Sequence, residues 1–327
     1  MQVSIGKLEK GISAARARIV PALWTASLFL LVPGLVLAPE QAAARPENPT
    51  ESAPPAAVYA GVEMCVTCHG EYEQQLAATA HGRQHFASLG SRGCETCHGP
   101  AATHADNPDD PALFPRVDKL PAARQIAVCQ QCHRTGAQMF WQGSEHENRG
   151  LACSTCHSVH APKSAAGQLK SVTVAEQCFT CHKDVRAETW KTSHHPIREG
   201  KIGCEDCHNP HGTTTESMIT AVSVNDQCYS CHAEKRGPFL WEHPPVREGC
   251  LNCHVPHGSN HLKLQRTSVP FICQQCHLNT RHPGTMYDGN ALAGGARASN
   301  RDFNRACLDC HASIHGSNHP SSPYLGH

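Results

Sequence analysis

The sequence predicts an elongated, mostly irregular chain with scattered short α-helices and little or no β-structure, built around bound groups in place of a side-chain core. Three observations carry this prediction. Core-forming side chains are scarce, all twenty cysteines fall into one repeated motif, and histidines recur in step with that motif.

The scarcity comes first. Residues 45–327 hold 41 Leu, Ile, Val and Phe in 283 positions, about 14%. Chains below about 20% drift toward disorder. Such a polypeptide cannot offset its conformational entropy with its own side chains. The formal net charge of +0 makes no case for nucleic acid as a partner.

The N-terminus reads as a targeting segment. Lys7, Lys10, Arg16 and Arg18 form a positive region, an apolar stretch runs from about residue 19 to 38, and Ala42, Ala43 and Ala44 offer a small-residue cleavage site. Residues 1–44 are therefore expected to be a cleaved signal peptide. An uncleaved anchor is the rival, since the stretch approaches the ~20 residues of a membrane span. Pro21, Pro33 and Gly34 interrupt it. Residues 45–60 are rich in Pro and Ala and read as a flexible lead-in.

The cysteines then identify the missing core. They form ten Cys-x-x-Cys-His units with none left over: Cys65, Cys68 and His69; Cys94, Cys97 and His98; Cys129, Cys132 and His133; Cys153, Cys156 and His157; Cys178, Cys181 and His182; Cys204, Cys207 and His208; Cys228, Cys231 and His232; Cys250, Cys253 and His254; Cys273, Cys276 and His277; Cys307, Cys310 and His311. On one helical turn, residues i, i+3 and i+4 share a face. Two thiols can then reach the two vinyl groups on one porphyrin edge, and the histidine lies under the ring to bind its iron. This is the attachment motif of c-type haem. Zinc sites and disulfide frameworks also use Cys-x-x-Cys, but neither explains a histidine after every second cysteine. The sequence thus predicts a multihaem cytochrome c with ten covalent haems, about one per 28 residues, whose macrocycles form the core.

Ten proximal histidines leave fifteen of the 25. Six-coordinate iron would take ten of them as distal ligands. The motifs fall into five successive pairs, a repeat of roughly 50 residues. After the second motif of each pair comes His104, His160, His211, His257 or His315. Between the two motifs comes His81, His146, His195, His243 or His282. His195 is preferred to His194, and His81 to His85, on the shared Ser/Thr-x-His register. A trailing histidine so close to its own motif would have to wrap around the porphyrin, so it is expected to serve an adjacent haem in the chain.

Short helices are expected at the motifs, for example around 175–184 and 305–314. Irregular loops are expected at 99–124 and 284–300, and a non-helical tail at 316–327.

The ten motifs, the Ser-x-His-Pro and Cys-His-x-Pro-His-Gly signatures, and the ending Cys-Leu-Asp-Cys-His-Ala-Ser-Ile-His-Gly-Ser-Asn-His-Pro resemble the MtrA/DmsE-type decahaem cytochromes over essentially the whole of residues 45–327. The resemblance implies two histidine ligands on every haem and two five-haem halves, here 61–190 and 191–327. It also implies a place partly inside an outer-membrane β-barrel porin, as an electron conduit between periplasm and cell exterior in extracellular respiration or iron oxidation. Periplasmic cytochromes are the expected neighbours, with an extracellular cytochrome as a further candidate partner. Localisation is expected in the periplasm, at the outer membrane. Two alternatives stand beside the conduit: a free periplasmic electron shuttle, and a multihaem reductase with one open haem. Catalysis at haem needs an open iron position, and no catalytic motif such as Cys-x-x-Cys-Lys occurs. An electron-transfer protein with no catalytic residue is expected.

Because the haems supply the core, the haem-free chain is expected to be unfolded. Far-UV circular dichroism of protein made without haem attachment checks this, and a coil spectrum is the expected result.

Overall fold

The computed structural model describes residues 58–85, 93–114, 116–277, 306–320 and 322–326. The signal segment, most of the lead-in, His282, His327 and the 284–300 loop lie outside these.

The observed secondary structure is a succession of helical turns. The longest helix, Val62–Ala77, carries the first motif and breaks from helical geometry at His69. Among the described residues β-structure is limited to isolated antiparallel bridges. No described helix is long and apolar enough to cross a membrane. Among the described residues the buried apolar ones are few: Ala101, Ile126, Trp141, Ala152 and Leu169. Ile126, Trp141 and Ala152 form one small cluster against Ala122 and Cys153. This matches a chain that does not build its own core.

Local sequence sets where the helices begin. Thr173 caps Val174–Phe179 by accepting from Glu176 N–H, and Glu176 returns the bond to Thr173 N–H. Ser223 caps Val224–Tyr229 in the same way through Asp226 N–H. Such caps are each worth about 1 kcal/mol. They place Cys178 and Cys228 in the last turn of their helices.

Three expectations need correction. The 99–124 segment is not one irregular loop: Ala102–Asp106 is helical, Val117–Lys119 is a 3-10 turn, and Ala122–Cys129 starts a helix behind Pro121. Proline is tolerated at a helix start, where its missing N–H would have no partner anyway. The helix expected around 175–184 splits into Val174–Phe179 and Lys183–Glu188, because His182 leaves helical geometry at the end of its motif. In the expected 305–314 helix, the described part is a single 3-10 turn at Cys307–Asp309.

Successive repeats are clamped by reciprocal backbone bonds. Ser193 and Ser259 exchange N–H···O bonds of 2.9 and 2.8 Å, and Trp241 and Ser317 exchange bonds of 2.9 and 3.0 Å. Each clamp sits two residues from a between-motif histidine (His195, His243) and two from a trailing one (His257, His315). The glycine after the trailing histidine makes this approach possible. A Cβ on Gly258 would overlap Glu188 O, and one on Gly212 would overlap Phe140 O.

Gly258→Ala is therefore expected to destabilise the haem-loaded protein by about 1–3 kcal/mol through overpacking against backbone. A lowered thermal midpoint, with Ala161→Gly as a control that leaves the clamp intact, checks it.

Candidate haem centres

Every motif forms the expected turn. From the second motif to the tenth, the histidine N–H donates to the carbonyl of the first cysteine at 2.9–3.1 Å. The two sulfurs and the imidazole of each unit thus share one turn, as attachment along a porphyrin edge requires.

The cysteines also order the motifs. Cys129, Cys178 and Cys228 hydrogen-bond to Cys153, Cys204 and Cys250. As free thiols, the first three are pushed up by those bonds and their partners drawn down, to about 7 for Cys153 and Cys250. Burial, followed by the neighbouring thiol, raises Cys65 beside Cys94 and Cys273 beside Cys307, each to about 11. These contacts join the two motifs of each pair. Second cysteines join one pair to the next. Burial raises Cys97, Cys156, Cys207 and Cys253, and each also feels a neighbour: Cys132, Cys181, Cys231 and Cys276 respectively. The thiols that interact within each pair, and those that feel one another electrostatically between pairs, follow the order of the motifs.

The histidines pair across motifs. Among the described residues, eight imidazole pairs have ring centroids 5.9–6.4 Å apart: His98 with His160, His133 with His81, His157 with His211, His182 with His146, His208 with His257, His232 with His195, His254 with His315, and His277 with His243. In each, one ring belongs to a motif and the other is a between-motif or trailing histidine. The ring planes range from near-parallel, 15° for His157–His211 and His254–His315, to strongly crossed, 68° for His81–His133.

The pairing obeys a rule. A between-motif histidine faces the first motif of the next pair. A trailing histidine faces the second motif of the preceding pair. Trailing histidines thus reach back two motifs, not to the adjacent one. Wrapping back over the intervening motif puts the two rings on opposite sides of one site. Each junction between pairs is stapled once in each direction.

The spacing fits iron in a porphyrin. A metal bound at about 2 Å by one nitrogen of each of two opposed imidazoles puts their centroids about 6 Å apart. Among the described residues no group of three or more His, Cys, Asp and Glu could cage a bare ion. Two protein ligands per site leave the remaining positions to a macrocycle.

The imidazoles are tuned around these sites. Burial lowers the pKa of His98, His160, His211, His243, His257 and His315, which keeps them neutral and able to donate a lone pair. Backbone carbonyls hold the far nitrogen of others. His208 Nδ1 meets Ser217 O at 2.9 Å, His254 Nδ1 meets Lys263 O at 2.8 Å, and His311 Nδ1 meets Tyr324 O at 2.7 Å. His157 Nδ1 bonds to Gly167 O. His146 and His195 each bond at 2.7 Å to the carbonyl of the proline in a Pro-His-Gly segment, Pro210 and Pro256. His81 Nδ1 meets Gln168 Oε1 at 2.8 Å. Such outer bonds fix ring orientation and raise ligand basicity.

Two expected site residues meet aromatic side chains. His69 packs against Tyr72, at 5.8 Å, and His104 stacks on Phe114, at 5.1 Å. Tyr72 also touches His160, the ring partner of His98, and Phe114 also stacks on His98 itself. His311 lies in its motif turn, while His282 is outside the described residues. His194 turns away from the sites, to Lys191 O at 2.7 Å and Glu199 at 3.2 Å.

Repeated helical turns, opposed imidazoles and a missing side-chain core define a multihaem c-type cytochrome. The doubled CXXCH motif family matches residues 146–187, 194–237 and 243–282. In each match the opening histidine segment supplies the ring that faces the second motif inside it: His146 to His182, His195 to His232, His243 to His277. The chain is 41% identical over 271 residues to the multiheme cytochrome MtrA of Shewanella baltica, covering 81% of both proteins. It is 29% identical over 96 residues to the cytochrome c-type protein NrfB of Escherichia coli, covering 28% of this chain and 50% of that protein. The chain belongs to the MtrA multihaem cytochrome family, and it carries covalent c-type haem.

Sequence reasoning missed the carbonyls that hold the imidazoles, and the bridging Tyr72 and Phe114. The carbonyls had a signal: Ser217 and Lys263 stand at one spacing, nine residues after His208 and His254.

In the haem-loaded protein, His211→Ala is expected to leave every haem attached and turn one ferric centre from low-spin to high-spin. The same outcome from the control His261→Ala would contradict the pairing.

Proposed function

We propose that the chain holds ten haems, one at each motif, each with two axial histidines, and conducts electrons along them between the periplasm and the cell exterior. The cysteines of all ten motifs form the covalent attachments. The axial sets are the eight imidazole pairs above, with His69 and His104 at motif 1, and His311 and His282 at motif 10. The last two follow by elimination under the pairing rule. Of the ten motifs, none lies before the first pair to receive His104 and none after the last to receive His282.

When bound, haem supplies a one-electron Fe(III)/Fe(II) couple. The chain does the rest. Its cysteines fix each ring in place. Its paired histidines would hold each iron from both faces, and an iron so held would have no position open to substrate, which supports a carrier over a reductase. The observation that carries the proposal is the set of imidazole pairs that ties each pair of motifs to the next, from the first pair to the last. A free shuttle needs only its surface sites, whereas a conduit needs every step.

The family resemblance supplies the setting: a periplasmic protein at the outer membrane, seated in a β-barrel porin, with other cytochromes at its ends. Backbone cannot face lipid without internal hydrogen bonds, and a closed barrel is one of the two forms that satisfies this. In that setting the two five-haem halves, 61–190 and 191–327, lie in series.

Liposomes loaded with reduced viologen and given an external Fe(III) acceptor test the proposal. The chain together with its barrel is expected to oxidise the viologen, and neither alone. Failure of the chain to associate with the barrel, with electron transfer only in free solution, would indicate the shuttle.

A further inference from the structure

We propose that four left-handed backbone turns set the reduction potentials of the haems at motifs 4, 6, 8 and 10, by holding a carbonyl against the proximal histidine of each. The inference rests on the haem reading above.

Among the described residues, six non-glycine positions have positive φ: Gln168, Ser217, Met218, Lys263, Leu264 and Leu325. All six fall in these four turns. Gly167–Gln168, Ser217–Met218 and Lys263–Leu264 are consecutive left-handed pairs, with φ between 50° and 66°. Leu325 follows Tyr324 with φ 56°. The left-handed region disfavours residues with a Cβ, and outliers of this kind persist where the surroundings over-determine them.

The surroundings are the same each time. Asn209 N–H donates to Met218 O and Thr220 N–H to Cys207 O; Val255 N–H donates to Leu264 O and Arg266 N–H to Cys253 O; Ser158 N–H donates to Gln168 O and Lys170 N–H to Cys156 O. At the tenth motif, Ser313 N–H donates to Leu325 O. These bonds strap each turn to its own motif. The carbonyl just before the strap then lands on the proximal Nδ1: Gly167 on His157, Ser217 on His208, Lys263 on His254, Tyr324 on His311.

Motif 2 lacks the device: the Nδ1 atoms of both His98 and its ring partner His160 are buried without an acceptor. An acceptor on Nδ1–H makes the imidazole a stronger donor to iron, favours Fe(III) and lowers the potential. Four haems are thereby held lower than the turn-less site, and the strained residues act as positioning residues through their histidines.

The test compares Ser217→Gly with Ser217→Val in the full, haem-loaded chain. Glycine accepts φ 56°, whereas a β-branched residue does not. Haem count by denaturing mass spectrometry is taken first, then optical redox potentiometry. Ser217→Gly is expected to match the parent. Ser217→Val is expected to keep all its haems and move one component to a more positive potential. Unchanged potentials in a fully loaded Ser217→Val would overturn the proposal, as would an equal shift in Ser217→Gly. Should Ser217→Val lose haem, Lys263→Val against Lys263→Gly puts the same question at motif 8. Failure of the haem reading would look different, because the parent protein itself would lack its attached, low-spin haems.

Discussion

The structure depends on one interaction: an imidazole from one repeat opposed, at about 6 Å, to an imidazole from a neighbouring repeat. Neither histidine alone organises anything. Opposed, they define a site for iron and tie two distant stretches of chain to it. His160 reaches back to His98 and His146 reaches forward to His182, so one repeat is fastened to both of its neighbours. A chain with five buried apolar residues among those described has few other means of long-range order.

This constraint explains the small features around it. Glycine follows His211 and His257 because backbone from the preceding repeat passes where a Cβ would stand. The proline carbonyl before each of these histidines holds the ring of a different site, His146 or His195. A Pro-His-Gly tripeptide therefore serves two centres at once. At the first pair the pattern gives way: His104 and His98 both stack on Phe114, and Tyr72 spans His69 and His160. Aromatic packing holds the histidines of that pair.

Much of this was legible in the sequence, for a physical reason. Covalent attachment needs two thiols and an imidazole on one turn, so Cys-x-x-Cys-His reads directly as a site. The shortage of Leu, Ile, Val and Phe reads as directly as a borrowed core. Which histidine faces which was not legible. Spacing shows that His160 cannot easily serve His157, but nothing local says it reaches back to His98 and not to the adjacent motif. The helical content of 99–124 was also hidden, since Pro and Asp mark helix starts as well as loops. The left-handed turns were hidden too, because Ser217, Met218, Lys263 and Leu264 are not residues that favour positive φ.

The most direct test of the central claim is electron paramagnetic resonance of the fully oxidised, haem-loaded protein. The account predicts low-spin ferric signals only. It also predicts two kinds among them: the ordinary rhombic type from near-parallel pairs such as His157–His211 at 15°, and a type with a larger spread of g values from crossed pairs such as His81–His133 at 68°. A stoichiometric high-spin signal would contradict it, because at least one iron would then lack its second histidine.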